Sequence, residues 1–409
     1  MKRRNNYDTE VIIVGGGLTG CTIAALLARQ DIHCIILEEC ARTSGNSEIR
    51  TDPRALAITR ASANILGSTG AWQHLSRDRI GYFSEMHVWD ENGAGEIHFD
   101  SAELCEPTLG YIIEQTLLEQ ALQQSLEGVE CVTWYRPATP VSLMQGDNGI
   151  TVTLEDGRNL CARLIVAADG ARSRIRTLAA IDYPQYDYHQ QAVACVVKTE
   201  KPHTHVARQR FLQNGPLAFL PMADTRQCGI VWSTSPEHAR SLLALYEQEF
   251  NMALGEGLDN VLGRIVSSGP RACFPLQHAQ AREYCRPGLA LIGDAAHTVH
   301  PLAGQGANLG LLDAAVLAEV VLDAKNRNRD IGAYLVLRRY ERWRKGENYA
   351  MLKLLQGFKY LFESKLLTVR YLRNLGLDLT DRAIPVKHMF MRYAMGLTGD
   401  LPAAARATS

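Results

Sequence analysis

A run of closely spaced glycines near the N-terminus is the first feature of the sequence that could support chemistry. Gly15-Gly16-Gly17-Leu18-Thr19-Gly20 has the form G-x-G-x-x-G. It follows the apolar, β-branched run 10–14 and precedes the alanine- and leucine-rich run 21–30, an order that predicts a strand, a turn and a helix. Such a turn is typical of a site that binds the pyrophosphate of a dinucleotide.

The residues of this turn have separate expected roles. Gly15 permits the tight turn, Gly17 lets the backbone approach a pyrophosphate, and Gly20 lets the helix pack closely on the strand. Leu18 and Thr19 stand in the same turn, and the N-terminus of the helix that follows offers unpaired N–H groups and a partial positive charge that favour phosphate. We therefore expect Gly15, Gly17, Leu18, Thr19 and Gly20 to bind a dinucleotide cofactor.

A second apolar run, residues 33–37, ends at Glu38. An acidic residue about twenty positions after the glycines is placed to accept hydrogen bonds from a ribose. The alternative, a glycine turn without a ligand, is weakened by the flanking strands and by Glu38. The residues of this first site do not show whether the dinucleotide is FAD or NAD.

A middle motif narrows the choice of cofactor. The buried-strand pattern of residues 164–168 leads into Asp169-Gly170-Ala171-Arg172-Ser173-Arg174-Ile175-Arg176. Here the chain resembles the flavin-dependent aromatic hydroxylases related to p-hydroxybenzoate hydroxylase, whose D-G-x-x-S-x-x-R motif it matches in full. The resemblance implies that Asp169 and Gly170 lie near the FAD pyrophosphate, in a motif that is also linked to the nicotinamide cofactor.

A third motif follows the run 289–292. The resemblance implies that Asp294, in Gly293-Asp294, binds the ribitol hydroxyls of FAD. The sequence 300–313 then matches H-P-x-A-G-Q-G-x-N-x-G-x-x-D, a signature of the hydroxylases of ubiquinone biosynthesis. The cofactor contacts implied by this string are Pro301, Gly304, Gln305, Gly306, Ala307 and Asn308.

The last motif also has a physical interpretation. Gly304 and Gly306 let backbone N–H groups face an anionic edge without an intervening side chain. A helix predicted over residues 307–321 would favour the negative charge that develops on the reduced flavin. His300 and Pro301 are the candidates for the catalytic face of the flavin, with structural packing as the alternative for His300.

Three single positions are implied by the resemblance alone. Arg54 matches an arginine near the flavin and pyrophosphate, Gln115 a polar residue that contacts the cofactor, and Val141 a hairpin residue whose backbone meets the adenine. Their alternatives are a surface ion-pair partner for Arg54 and a helix-face residue for Gln115.

The order of the motifs predicts an α/β fold with a discontinuous, Rossmann-like FAD-binding domain over residues 1–182 and 271–330. An inserted, mostly antiparallel substrate domain is expected over residues 183–270, covered by a helix over 238–254 and joined by short strands at 86–99. A C-terminal helical region is expected over 331–409. Within it, residues 352–367 either pack on the FAD domain or touch a membrane surface or partner proteins.

The resemblance implies a monooxygenase in which NAD(P)H reduces FAD, O2 forms a C4a-hydroperoxide, and one oxygen is transferred to a phenol ring. The similarity is greatest to the 2-polyprenyl-6-methoxyphenol hydroxylases, through Asp52, Arg54, Ala55 and Ala57 and through residues 214–222. The implied substrate is thus a polyprenylphenol of ubiquinone biosynthesis. A prenyl-chain reductase, or a non-catalytic FAD-binding subunit of a biosynthetic assembly, remains the alternative.

Composition excludes several other classes. The 43 basic and 44 acidic residues give a formal charge of −1. The chain therefore lacks the excess of basic residues that is typical of a nucleic-acid-binding protein. Ten cysteines without a C-x-x-C pair argue against a zinc ribbon, and no metal spacing is present. No run approaches the length of a membrane span. We expect a cytoplasmic protein with any membrane contact peripheral, at the inner membrane; the oligomeric state stays open.

Overall fold

The structure, a computed structural model, describes residues 7–41, 54–91, 95–146, 149–299, 305–363 and 383–406. Its strands are, in chain order, β1 (Thr9–Val14), β2 (Cys34–Leu37), β3 (Ala55–Thr59), β4 (Gly81–Phe83), β5 (Glu85–Asp90), β6 (Glu96–Asp100), β7 (Gly110–Glu114), β8 (Val132–Tyr135), β9 (Pro140–Gly146), β10 (Gly149–Leu154), β11 (Asn159–Ala167), β12 (Gln185–Thr199), β13 (Val206–Leu212), β14 (Gly215–Pro221), β15 (Gln227–Thr234), β16 (Ile265–Ser268), β17 (Ala272–Gln280), β18 (Cys285–Arg286), β19 (Leu289–Leu291) and β20 (His297–Thr298).

The α-helices of the described residues are α1 (Leu18–Ala28), α2 (Arg60–Thr69), α3 (Gln115–Ser125), α4 (Arg174–Leu178), α5 (Pro236–Ala244), α6 (Glu247–Gly257), α7 (Gln305–Asn326), α8 (Tyr334–Glu363) and α9 (Ile384–Ala394). The predicted α/β fold with antiparallel parts and a helical C-terminal region is confirmed. Helix α7 begins two residues earlier and ends five residues later than the predicted range 307–321.

The first sheet has eight strands, ordered β18-β19-β11-β1-β2-β8, with the hairpin β9–β10 attached to β11. The strands from β19 to β8 run parallel. Their central residues are fully buried, because helices and neighbouring strands cover both faces. This two-sided burial is why the strands appear in the sequence as continuous apolar runs rather than as alternating ones.

The second sheet has nine strands, ordered β20-β17-β12-β15-β14-β13-β5-β6, with β16 on the edge of β12. All its pairs are antiparallel except β13 with β5. Helices α5 and α6 bury one face of the sheet in a separate apolar core. Strands β17 and β20 belong to this sheet, so segment 271–330 contributes to both sheets; the domain boundaries stay a prediction.

A small three-stranded sheet, β3-β7-β4, joins the two larger ones. Two glycines permit the contact. A Cβ atom at Gly229 of β15 would lie 2.6 Å from the Cβ of Ala55, and one at Gly81 would lie 2.5 Å from the carbonyl oxygen of Pro221. Both distances are shorter than van der Waals contact, so side chains here would push the sheets apart.

The prediction of one helix over residues 238–254 is wrong, because the chain forms two helices, α5 and α6. Leu245 and Tyr246 have extended backbone between them. The Arg271 guanidinium donates to the carbonyl oxygen of Leu245 at 2.7 Å, and the Tyr246 N–H donates to the Glu249 carboxylate at 3.1 Å. These two interactions satisfy the backbone groups that a helix break would otherwise leave unpaired.

The C-terminal helix α8 packs on α7 and on the edge of the first sheet. Tyr340 is fully buried, and its hydroxyl donates to the carbonyl oxygen of Leu291 at 2.8 Å. Further along, Met351 and Leu352 form a small apolar cluster with Val299 and Leu309. Leu352, the first residue of the segment expected to pack or to touch a membrane, is therefore packed; residues 364–367 of that segment lie outside the described residues.

Across the ranges that the structure describes, no helix combines the length and the apolar character needed to span a bilayer.

Candidate functional site

The N-terminal glycine turn closes tightly between β1 and α1. Gly15 has a left-handed φ of +104°, and a Cβ there would lie 2.3 Å from the carbonyl oxygen of Ala168. A Cβ at Gly20 would lie 1.9 Å from the carbonyl oxygen of Gly15. Neither position therefore tolerates a side chain.

Gly17 differs from its two neighbours in the motif. Its backbone is ordinary, with φ of −82°, and a Cβ there would meet nothing closer than Glu119 Oε1 at 4.0 Å. Gly17 caps helix α1, and no side chain caps that N-terminus. The space beside Gly17 and the free helix end together fit a pyrophosphate.

Glu38 lies directly after β2, as the sequence predicts. Its Oε2 accepts from the Gly16 N–H at 2.6 Å, and its Oε1 accepts from the Cys40 N–H at 3.0 Å. The carboxylate is thus fixed beside the glycine turn. Each oxygen has a second acceptor site that remains available for a ribose hydroxyl.

The middle motif forms a turn that leads into the short helix α4. Gly170 has a left-handed φ of +76°, and the Ser173 side chain caps the helix by accepting from the Arg176 N–H. Asp169 Oδ2 accepts from the Ile175 N–H at 3.1 Å. Within the described ranges, its buried Oδ1 has no hydrogen-bond partner, so this oxygen fits a hydroxyl group of a cofactor.

Arg176 ties the middle motif to the third. Its guanidinium donates to the carbonyl oxygens of Ala171 at 2.7 Å and Ala295 at 2.9 Å, and lies 3.6 Å above the Tyr183 ring. The Tyr183 hydroxyl donates in turn to the carbonyl oxygen of Asp294 at 3.1 Å. Burial lowers the pKa of Arg176, but a guanidinium remains charged at any physiological pH.

Asp294, the predicted ligand of the ribitol, follows Gly293, whose φ is +58°. Its side chain is exposed to solvent while protein atoms surround it closely, as expected for a residue that lines a recess. This crowding, together with the charge of Asp313, raises the pKa of Asp294, although His297 opposes the shift. An accessible carboxylate of this kind can accept hydrogen bonds from hydroxyls of a ligand.

The first and third motifs meet at Thr19. A Cβ at Gly293 would lie 3.0 Å from Thr19 Oγ1, and a Cβ at Gly310 would lie 2.8 Å from the same atom. Gly310 belongs to helix α7, so this helix and α1 approach each other through glycine contacts. The structure therefore brings the N-terminus of α1 next to the turn that carries Asp294.

The start of α7 carries the remaining predicted contacts. Gln305 is buried, and Gly306 and Ala307 follow it in the first turn. The Asn308 side chain is engaged elsewhere, because it donates to the carbonyl oxygen of Ala57 at 2.8 Å and accepts from the Thr59 N–H at 3.0 Å. Asn308 thus holds β3 against α7. His300, Pro301 and Gly304 lie outside the described residues.

The three positions taken from the resemblance fall in two places. The carbonyl oxygen of Arg54 accepts from the Gln115 N–H at 3.1 Å. The Gln115 side chain donates to Glu119 Oε1 at 2.8 Å, the same atom that faces Gly17. Val141 is 42% exposed on β9. These three roles stay predictions.

The buried residues that hold the third motif in place by hydrogen bonds were not identified from the sequence. Asp313 is fully buried and accepts from His297 Nε2 at 2.5 Å and from Arg344 Nε at 2.8 Å. His297 and Asp313 both stand in motif strings, so their pairing had a signal in the sequence. Arg344 stands in no motif, and no spacing pattern pointed to it.

The residues present fit FAD. The open space at Gly17 and the free end of α1 suit the pyrophosphate, Glu38 suits a ribose, and Asp294 suits the ribitol. The unpartnered oxygen of Asp169 belongs to the middle motif, whose backbone lies against Gly15 of the glycine turn. No residue of the described part fills the space beside Gly17.

Comparison of two glycine substitutions distinguishes an effect on cofactor binding from an effect on folding. Gly17→Val adds a side chain in open space and should give a folded protein that loses bound flavin. Gly20→Val places atoms inside the Gly15 backbone and should lower stability and flavin content together. Flavin absorbance per chain and the melting temperature of each purified variant are the measurements. Full flavin occupancy in Gly17→Val would refute this location of the pyrophosphate.

Comparison with known proteins agrees with this geometry. Residues 8–333 match the FAD binding domain family. The chain is 35% identical over 392 residues to the 3-demethoxyubiquinol 3-hydroxylase of Escherichia coli, an alignment that covers 96% of this chain and all of that protein. It is 36% identical over 391 residues to ubiquinone hydroxylase UbiL of Rhodospirillum rubrum, covering 95% of this chain and 89% of that one.

Solved structures share the fold. p-Nitrophenol 4-monooxygenase PnpA from Pseudomonas putida superposes with a TM-score of 0.77 at 20% identity, over 95% of this chain and 98% of that one. The cofactor of this protein is FAD, with NAD(P)H as the co-substrate typical of the family. The chain therefore belongs to the FAD binding domain family, as an FAD-dependent hydroxylase of the group that includes the ubiquinone-biosynthesis hydroxylases.

Proposed function

We propose that this protein uses NAD(P)H and O2 to hydroxylate the aromatic ring of a polyprenylphenol in ubiquinone biosynthesis. The observation that carries the proposal is the convergence of three motifs on one proposed flavin site beside a sheet face with an apolar centre. Relatives at about one-third identity that are named ubiquinone hydroxylases support the choice of pathway.

The apolar face belongs to the nine-stranded sheet, on the side opposite α5 and α6. Gly229 contacts Ala55 of the small sheet, so its face of β15 is turned toward the FAD-binding part. The register also places Lys198, Gln227 and Ser233 toward the ends of this face. Around its centre lie five residues beside Gly229, namely Ala194, Val196, Ala218, Leu220 and Val231. All are apolar, and four are only half-buried, which suits an uncharged ring with a hydrocarbon chain.

When bound, FAD supplies the electron transfer and the activation of oxygen. The chain's own residues bind and orient. The glycine turn and α1 hold the phosphates, Asp294 fixes the ribitol, and Arg176 keeps the Asp294 turn joined to the middle motif. The apolar sheet face excludes water from the substrate, which limits unproductive side reactions.

The direct test is turnover under isotopically heavy O2. Purified holoenzyme, NAD(P)H and a polyprenylphenol in detergent micelles should yield a product that carries one heavy oxygen on the ring, seen by mass spectrometry. Gly17→Val is the matched control and should give none. A product with a reduced prenyl chain and no added oxygen would indicate a prenyl-chain reductase. Flavin that NAD(P)H reduces without any product would indicate a non-catalytic assembly subunit.

We also propose that the protein contacts the surface of the inner membrane peripherally from the cytoplasm, because a polyprenylated substrate resides in the bilayer. Helix α9 offers a candidate surface. Ile384 is 58% exposed, Val386 41% and Met389 57%, and the exposed Arg392 adds a positive charge. Apolar side chains beside a basic residue are typical of helices that lie on anionic lipid.

Vesicle binding tests this surface. The protein should co-sediment with vesicles that contain anionic lipid, and Met389→Asp should weaken the binding several-fold by placing a charge against the bilayer. Met252→Asp, at an equally exposed methionine of α6, is the control and should bind like the unmodified protein. Equal binding by both variants would exclude α9 as the contact.

A further inference from the structure

Asp313, in the middle of helix α7, is a buried acceptor for four hydrogen bonds. Its Oδ2 accepts from the Gly293 N–H at 3.1 Å and from His297 Nε2 at 2.5 Å. Its Oδ1 accepts from Arg344 Nε at 2.8 Å and from Asn348 Nδ2 at 3.2 Å. One carboxylate thus joins the turn around Asp294 to the C-terminal helix α8.

The charge on this carboxylate depends on its partners. Burial alone would raise the pKa of Asp313, but the charges of His297 and Arg344 and their hydrogen bonds outweigh it and hold the pKa at about 2. Arg344 is itself 1% exposed, and Asn348 and Glu347 accept from its remaining nitrogens. Arg344 is therefore the fixed cation that keeps Asp313 ionised in the interior.

The turn that Asp313 holds is the one expected to bind the ribitol. Gly293 and His297 flank Asp294 in sequence, and Asp294 is close enough to both His297 and Asp313 for their charges to act on its pKa. Without Arg344, the buried carboxylate would lose a cationic partner whose charge is permanent, because a guanidinium stays protonated at any physiological pH. It would then protonate or shift, and the Gly293 N–H and His297 would lose a fixed acceptor.

We propose that Arg344 is a positioning residue for FAD, acting through Asp313 on the turn Gly293–His297. The inference rests on FAD binding at this site and is independent of the substrate. It also extends the FAD site beyond residue 333, where the family match ends. In this protein the C-terminal helix is thus a part of the cofactor site rather than only a cover for it.

Arg344→Met should raise the Kd for FAD roughly tenfold or more, as expected when a buried ion pair is broken. The apoprotein is titrated with FAD and followed by flavin fluorescence across a range of pH. Loss of Arg344 raises the pKa of Asp313, so protonation reaches the carboxylate at a higher pH. FAD affinity should therefore fall more steeply in the variant than in the unmodified protein as the pH is lowered.

Two further variants sharpen the test. Arg344→Lys keeps the charge and should restore the pH profile and part of the affinity. Arg339→Met is the matched control, because Arg339 also joins α8 to α7, through Asp323, but at a partly exposed position. It should leave the Kd for FAD unchanged, whatever it does to the melting temperature of the apoprotein.

An Arg344→Met protein with the FAD affinity and pH profile of Arg339→Met would overturn the proposal, even with a lower melting temperature. So would Arg344→Lys with no recovery over Arg344→Met. If Arg344→Met does not fold, the double variant Asp313→Asn with Arg344→Met removes both charges of the fully buried pair. Glu347 also loses Arg344 as a partner, but its side chain is 42% exposed and can be solvated. Weak FAD binding by that folded protein supports the proposal, and unchanged affinity refutes it.

Discussion

The close approach of three backbone segments around Thr19 is the constraint on which the rest of the site depends. Gly293 and Gly310 both lie against the Thr19 hydroxyl, and a Cβ atom at these positions would lie 3.0 Å and 2.8 Å from Thr19 Oγ1, so an added side chain would force the segments to shift. Thr19 precedes Gly293 by 274 positions and Gly310 by 291 positions in the chain. The helix that begins at the glycine turn, the turn that carries Asp294 and the helix α7 therefore pack closely against one another at this point.

In that arrangement the two large sheets contribute different kinds of surface to the site. The parallel sheet ends at the glycine turn and the two aspartate motifs, where polar groups collect at the carboxyl ends of its strands. The antiparallel sheet contributes an apolar face, held close by the glycine contacts at Gly81 and Gly229. Buried charges join the C-terminal helix to the same site. The cofactor and the substrate are thus expected to bind to different sheets, which approach each other closely at glycine residues.

Much of this could be predicted from local sequence, because the glycine turn, Glu38 and the aspartate motifs each follow a recognisable strand. What could not be predicted depends on distant partners. Arg344 binds Asp313, which lies 31 residues earlier in the chain, and Arg344 belongs to no motif. Arg271 donates to the carbonyl oxygen of Leu245, 26 residues earlier, where α5 has ended. Asn308 stands in the signature string, yet its side chain holds β3 rather than facing open space. Such pairings are set by tertiary packing and leave no periodic pattern.

The most direct test of the central claim is hydrogen–deuterium exchange of the intact protein with and without FAD. If three distant segments form one cofactor site, FAD should slow exchange together in residues 15–20, 169–176 and 293–310. The outer part of strand β9, residues 142–146, should exchange at the same rate in both states. Protection confined to the first glycine turn, with the other two segments unchanged, would contradict the account.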